Sequence, residues 1–202
     1  MTPIIGISGS HRTGKTTLAR TISKKKGIPF VKTCTSKVFK QHGLHPAMPM
    51  DFKTRLWIQH YVLEAATHVW QVKNGPFVTD RTPIDFMAYT LGDIQGITKV
   101  DFAQLEKYLN QCFEMIHQFF TTLVVLQPAI PLVYEEGKAP LNRAYIEHIN
   151  SIIQGLCSDE QLNCPSIVIK RNITSIDERV QVVLKFVSDN FSVLSESNHT
   201  EC

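Results

Sequence analysis

Apolar and polar positions along this chain fall into blocks whose period switches between that of a strand and that of a helix. The first block, Pro3-Ile4-Ile5-Gly6-Ile7-Ser8, is short and β-branched and reads as a buried strand. From Thr16 to about Lys26 the pattern is helical. The basic turn Lys24-Lys25-Lys26 suits the negative helix end, and Gly27 is a good terminator. Ile28-Pro29-Phe30-Val31 predicts a second strand, Ser36 to His42 a small helix stopped by Gly43, and His42 to Met50 a proline-broken loop. Asp51 caps a long helix reaching about Lys73, with Phe52, Leu56, Val62, Leu63, Ala66, Val69 and Trp70 as its inward stripe. A turn at Gly75-Pro76 then leads into a short buried strand ending at Asp80-Arg81.

The second half repeats this grammar. Thr82 caps a helix with Pro83 at its first position and Asp85 able to bond back, and Leu91-Gly92-Asp93 ends it. Asp101 caps the next helix, with Gln104 completing a capping box and Phe102, Leu105, Leu109, Cys112, Phe113, Ile116 and Phe120 forming an apolar face. Thr121 to Leu126 is a buried strand. Asn142 caps a helix with Ile146, Ile149, Ile153 and Leu156 inward. Pro165 to Ile169 is a last strand, and Ser175 with Glu178 boxes a final helix through Val180, Val183, Leu184 and Val187. From Ser192 the composition turns polar, so the reading is one domain over residues 1–191 and a frayed tail over 192–202.

Composition changes this picture little. A chain of 202 residues, 43% hydrophobic and 19% charged, suits a single soluble α/β domain, and no apolar run reaches the length of a membrane span. A net charge of +3 is too small to argue for nucleic acid. The N-terminus enters the first strand directly, so no signal peptide is expected. Five cysteines without a C-x-x-C pair argue against a zinc site or a disulfide framework and predict free thiols in a reducing cytoplasm.

The candidate chemistry centres on Gly9-Ser10-His11-Arg12-Thr13-Gly14-Lys15-Thr16, which fits G-x-x-x-x-G-K-[ST] without mismatch, between a strand and a helix start. The amides of residues 11–16 can point at a phosphate at the positive helix end, and Gly9 and Gly14 let the backbone bend and approach closely. In such loops the lysine, here Lys15, neutralises the β- and γ-phosphates, and the hydroxyl of Thr16 holds Mg²⁺. The triphosphate-binding set is therefore Gly9 through Thr16 with the adjoining Thr17. Asp80 and Arg81 lie where a strand meets a helix, the place where open α/β sheets bind ligands. No acid follows the strand ending at Leu126, so Asp80 supplies the carboxylate on the Mg²⁺ side. Arg55 and Gln59 fall on the inward stripe of their helix, where they either bond to nearby backbone or line a pocket and hold a polar ligand. Arg143 stands in the first turn of a helix, a poor place for a cation. A lid carrying Lys138 and Arg143 over the phosphates would supply its anionic partner, against the alternative of two solvated side chains.

Taken together, ISGSHRTGKTTLA, the helix carrying Arg55 and Gln59, FVTDRTPIDFMAYT, and Arg143 ahead of its helix resemble the small P-loop nucleoside and nucleotide kinases. The likeness is greatest to the AAA-type ATPase/kinase family that includes nicotinamide riboside kinase domains and phage deoxynucleoside monophosphate kinases. It spans residues 4 to about 156. One departure is that lids of this group usually carry more than one arginine, where this chain has Lys138. The resemblance implies an α/β P-loop NTPase fold, adenylate-kinase-like with a lid. Its five-stranded parallel sheet would have strands near residues 3–8, 28–32, 76–80, 122–127 and 166–170, with helices on both faces. It further implies a cytoplasmic enzyme, in the host cytoplasm were the chain phage-encoded.

The expected function is Mg²⁺-dependent transfer of the ATP γ-phosphoryl group to a small nucleotide. Lys15, Asp80, Arg81 and Arg143 would be catalytic, Thr16 and Asp80 would hold the metal, and Arg55, Gln59, Asp80, Arg81, Asp85 and Lys138 would hold the acceptor. The cations Arg55, Arg81 and Arg143 exceed what a neutral nucleoside needs, which favours a deoxynucleoside monophosphate. The alternatives are a free nucleoside, a hydroxyl of DNA, which the weak net charge disfavours, and a nucleotide-dependent switch or ATPase acting on a protein. The absence of a carboxylate pair after Leu126 and of an N-K-x-D signature counts against the last. A membrane partner is not expected, and a homodimer stays open.

Overall fold

The structure, a computed structural model, describes residues 2–46, 48–73, 75–132 and 142–196, with the side chains of 191–196 excepted. Five strands form one sheet: β1 (Ile4–Ser8), β2 (Phe30–Val31), β3 (Phe77–Thr79), β4 (Thr122–Leu126) and β5 (Ser166–Ile169). Their order is β2-β3-β1-β4-β5 and every pair is parallel, with Ile5 opposite Val78 and Ile7 opposite Val124. Among the described residues seven helices flank it: α1 (Lys15–Lys26), α2 (Thr35–Gln41), α3 (Phe52–Gln71), α4 (Pro83–Leu91), α5 (Phe102–Phe119) and α6 (Arg143–Cys157) lie in the crossovers that parallel pairing requires, and α7 (Ile176–Glu196) follows the last strand. All five strands lie where the pattern of the chain puts them. Helix α7 continues to Glu196, past the point where the tail was expected to begin.

Except at the edge strand β5, where Val168 is exposed, the sheet is covered on both faces, which explains why its strands read as near-continuous apolar runs. Ile5, Ile7, Val78, Val124, Leu126 and Ile169 pack with Leu18, Ala19 and Ile22 of α1 and Val180, Val183 and Val187 of α7. Phe77, Leu123 and Val125 face the opposite, larger layer with α3, α4, α5 and α6. Gly6 of β1 faces that layer too. A Cβ there would meet Thr82 Cγ2 at 2.5 Å and Phe120 Cδ1 at 2.8 Å, so the glycine lets the start of α4 lie against the central strand.

The caps form largely as expected. Asp51, Asp101 and Asn142 accept from the backbone N–H of Thr54, Gln104 and Tyr145, and Thr82 with Asp85 forms a full capping box. Three apolar positions depart from expectation. Val69, expected inward, is 38% exposed, whereas Ile58, outside the expected stripe, is fully buried. The two stand on the same edge of α3, about three helical turns apart. Packing covers that edge at Ile58 and leaves it open at Val69. Phe102, also expected inward, is 69% exposed in the first turn of α5.

Candidate active site

The loop between β1 and α1 is shaped by backbone that only glycine adopts without strain. Gly9 has φ 153° and Gly14 φ 92°. A Cβ on Gly9 would lie 2.5 Å from the carbonyl oxygen of Leu126, so the loop can cross the end of β4 only with hydrogen at that position. Arg12 also takes a left-handed conformation, φ 64°. The Thr13 hydroxyl donates to the Ser10 carbonyl at 2.9 Å and closes the turn. Lys15 folds back under this arch. Its ammonium donates to the carbonyls of Gly9 and, at 2.8 Å, Ser10, and the side chain is buried. Burial pushes its pKa down to about 8, with Asp85 the main force acting against the fall. Thr17 is exposed on the first turn of α1.

Asp85 was expected among the groups that hold the acceptor, and its geometry is different. It is fully buried. Its Oδ1 accepts from the Gly9 N–H at 3.3 Å and lies 3.6 Å from Lys15 Nζ, while Oδ2 accepts from the Thr82 N–H at 3.1 Å. The capping box turns the carboxylate back toward Thr82. A buried hydroxyl pair, Ser8 to Thr82 at 2.6 Å, presses that cap against the end of β1. Asp85 therefore supports the loop from beneath and has no free face for an acceptor. Burial pushes its pKa up, opposed chiefly by Lys15 and Arg81.

Asp80, at the end of β3, meets the loop from the other side. The Thr16 hydroxyl donates to its Oδ2 at 2.5 Å, and its buried Oδ1 has no hydrogen-bond partner. A buried carboxylate oxygen left unpaired is costly unless something cationic or donating arrives. A hydroxyl and a carboxylate side by side, with one oxygen lacking a partner, fit Mg²⁺, which takes few protein oxygens and leaves the rest of its shell to phosphate and water. Among the described residues, no group of three or more His, Cys, Asp or Glu side chains could hold a metal ion. Arg81 is partly exposed beside this site and contributes to the electrostatics of Lys15, Asp85 and Tyr89.

A polar and aromatic wall runs from the loop toward α3. His11 Nδ1 lies 3.3 Å from the Tyr89 hydroxyl, and the His11 ring lies 5.8 Å from that of Tyr145. Tyr145 in turn senses the charges of Asp93 and Arg55. Arg55 is ion-paired with Asp93, donates to the Pro46 carbonyl at 3.4 Å and sits over the Phe39 ring at 5.8 Å. The bond to nearby backbone is the first of the two readings of Arg55, and Asp93 gives its guanidinium a charge partner. Gln59 is buried one turn away, and its side-chain oxygen lacks a partner. Arg143 is exposed in the first turn of α6, where it acts on Glu147, whose carboxylate Arg171 holds with two bonds of 2.6 Å. Lys138 and the rest of residues 133–141, the expected lid, lie outside the described residues.

No motif in the chain marks Tyr89, Asp93, Tyr145 or Arg179. Tyr89 carried a signal, standing one helical turn after Asp85 on the same face of α4. Among the described residues no helix is long and apolar enough to cross a membrane, and Cys34, Cys112, Cys157 and Cys164 are free thiols.

The family model described as AAA domain matches residues 4–173. No curated protein matches the chain. Among solved structures, deoxyadenosine kinase from M. mycoides with bound dATP has a TM-score of 0.61 at 19% identity, covering 92% of this chain and 99% of that one. NadR in complex with NR has a TM-score of 0.65 at 14% identity, over 92% of this chain and 50% of that one. Thymidylate kinase from Candida albicans has a TM-score of 0.56 at 17% identity, over 94% and 92% of the two chains. At these identities the likeness is one of fold, an α/β P-loop kinase fold. With a match that runs from the first strand to the turn after the last, the chain belongs to the AAA domain family.

Proposed function

We propose that this protein is an ATP- and Mg²⁺-dependent kinase that transfers the γ-phosphoryl group to a small nucleotide, a deoxynucleoside monophosphate. The observation that carries the reading is the convergence of Lys15, Thr16 and Asp80 on one loop at the end of a parallel sheet. The loop amides and the Lys15 ammonium bind and orient the triphosphate and stabilise charge on the transferring group. Bound Mg²⁺ would supply charge neutralisation between phosphate oxygens, held by Thr16 and Asp80. Arg81, beside Lys15, meets the acceptor phosphate or the transferred one, and Arg143 or Lys138 supplies a further cation to the phosphates. Arg55, Gln59, Asp93, Tyr89 and Tyr145 hold the acceptor. Asp85 acts through the loop rather than on substrate. The domain takes in α7 as far as Glu196, and the enzyme works in the cytoplasm.

The fold neighbours include a deoxyadenosine kinase and a thymidylate kinase, one for each kind of acceptor. One observation favours a second reading, a neutral nucleoside as acceptor. The charge of Arg55 is already matched by Asp93, which removes one cation from the set that argues for a phosphorylated acceptor. The deciding experiment is phosphoryl transfer from MgATP across the common deoxynucleosides and their monophosphates. Transfer to monophosphates supports the first reading, transfer to neutral nucleosides alone replaces it with the second, and the absence of transfer to either class rejects both.

A further inference from the structure

Arg179 stands in the first turns of α7, beyond the residues matched by the family model, and is only 3% exposed. Among the described residues no carboxylate pairs with it. An arginine buried without a counter-ion carries a large desolvation cost, and burial alone pushes its pKa down. Among the described residues its two hydrogen bonds both go to main chain. Nε donates to the Ile173 carbonyl at 2.8 Å, in the turn between β5 and α7. Nη1 donates to the Thr13 carbonyl at 3.1 Å, in the loop over Lys15, across 166 residues of chain.

The second bond has a geometric consequence. The peptide between Thr13 and Gly14 is trans, so its C=O and N–H point in opposite directions. Holding the carbonyl outward against α7 holds the Gly14 N–H toward the inside of the arch. That N–H is one of the free donors at the start of α1, in the region where an anion binds. Gly14 has a left-handed φ of 92°, and a Cβ there would stand 3.5 Å from Nη1, so the guanidinium also fills the space beside it. The positive charge lies on the outer side of the same peptide and adds to the potential of the loop.

We propose that Arg179 is a positioning residue for the phosphate loop: from α7 it fixes the Thr13–Gly14 peptide, and with it the turn at Ile173, so that the Gly14 N–H is aimed at a bound phosphate before the ligand arrives. This inference rests on the reading of the loop as a triphosphate site.

The test uses the full chain and inorganic tripolyphosphate with Mg²⁺ as probe, so that no acceptor need be known. Wild type, Lys15→Met, Arg179→Met and Arg179→Lys are compared by calorimetric titration, each with its thermal unfolding curve. Loss of one charge-assisted hydrogen bond predicts that folded Arg179→Met binds about tenfold more weakly. Arg179→Lys, which keeps the charge and can reach one carbonyl at a time, recovers part of that loss. The predicted rescue in affinity separates positioning from a role in stability alone. Equal affinity of Arg179→Met and wild type, with binding lost in Lys15→Met, overturns the proposal and leaves the triphosphate site standing. Should Arg179→Met fail to fold, Arg179→Lys decides: weakened binding at unchanged melting temperature supports the proposal, and full affinity overturns it. Absence of binding by the wild type overturns the triphosphate reading and this proposal together.

Discussion

The Thr16 hydroxyl donates to the Asp80 carboxylate at 2.5 Å although 64 residues of chain separate them. The start of α1 and the end of β3 are thereby joined at one point, with the second carboxylate oxygen buried and lacking a partner. Such a group destabilises the ligand-free protein and gains its partner only on binding. Asp80→Asn removes the buried charge at constant shape. The expected outcome is a melting temperature at or above that of wild type without nucleotide, together with a loss of phosphoryl transfer of about 10² or more. Calorimetry and single-turnover transfer measure the two sides. A variant that is less stable yet fully active would refute this assignment.

The depressed pKa of Lys15 gives a pH signature with two opposite slopes. Below about 8 the ammonium is charged in the folded protein as it is in the unfolded chain. Between about 8 and the ordinary value of 10.5, the unfolded chain holds the proton and the folded protein does not. The unfolded state then binds more protons, so the contribution of Lys15 to stability rises with pH across that window. Triphosphate affinity falls over the same range, by up to about tenfold per pH unit, because the cation is lost. Lys15→Met should flatten both curves. Thermal unfolding and tripolyphosphate titration at pH 7.5, 8.5 and 9.5, taken as differences from Lys15→Met, measure them.

Gly6 is the place where a single methyl group should disturb the loop from a distance. Gly6→Ala drives Cβ into Thr82 and Phe120, an overpacking that costs about 1–3 kcal/mol. Because Thr82 holds Ser8, the displacement should also weaken tripolyphosphate binding. Gly96→Ala, with nothing within 4 Å of the added carbon, serves as the control and should leave both melting temperature and binding unchanged. Equal melting temperatures for the two variants would show that the start of α4 yields freely.

The Arg55–Asp93 pair separates the two acceptor readings. Arg55→Ala should raise the acceptor KM by about tenfold, the equivalent of one hydrogen bond to a charged group, with the KM for ATP unchanged. Asp93→Asn frees the guanidinium. For an anionic acceptor held by Arg55 its KM should stay equal or fall, and for a neutral base read by both partners it should rise. Steady-state kinetics with the acceptor found in the substrate panel distinguishes the two. An unchanged acceptor KM in both variants removes Arg55 and Asp93 from the acceptor site.

What the chain determined by itself was whatever depends on neighbours a few residues apart. The arch from Gly9 to Thr16, the caps at Asp51, Asp101 and Asn142, the box of Thr82 and Asp85, and the five strands were all legible, because turn chemistry, capping and hydrophobic period act over one or two helical turns. Tertiary structure alone decided which layer each apolar edge meets, burying Ile58 and exposing Val69 and Phe102. It alone turned Asp85 under the loop, matched Arg55 with Asp93, and brought Arg179 to Thr13. These pairings join residues that no local period relates. Packing brings such groups together in space, and the cost of leaving a buried polar group unmatched then selects their partners.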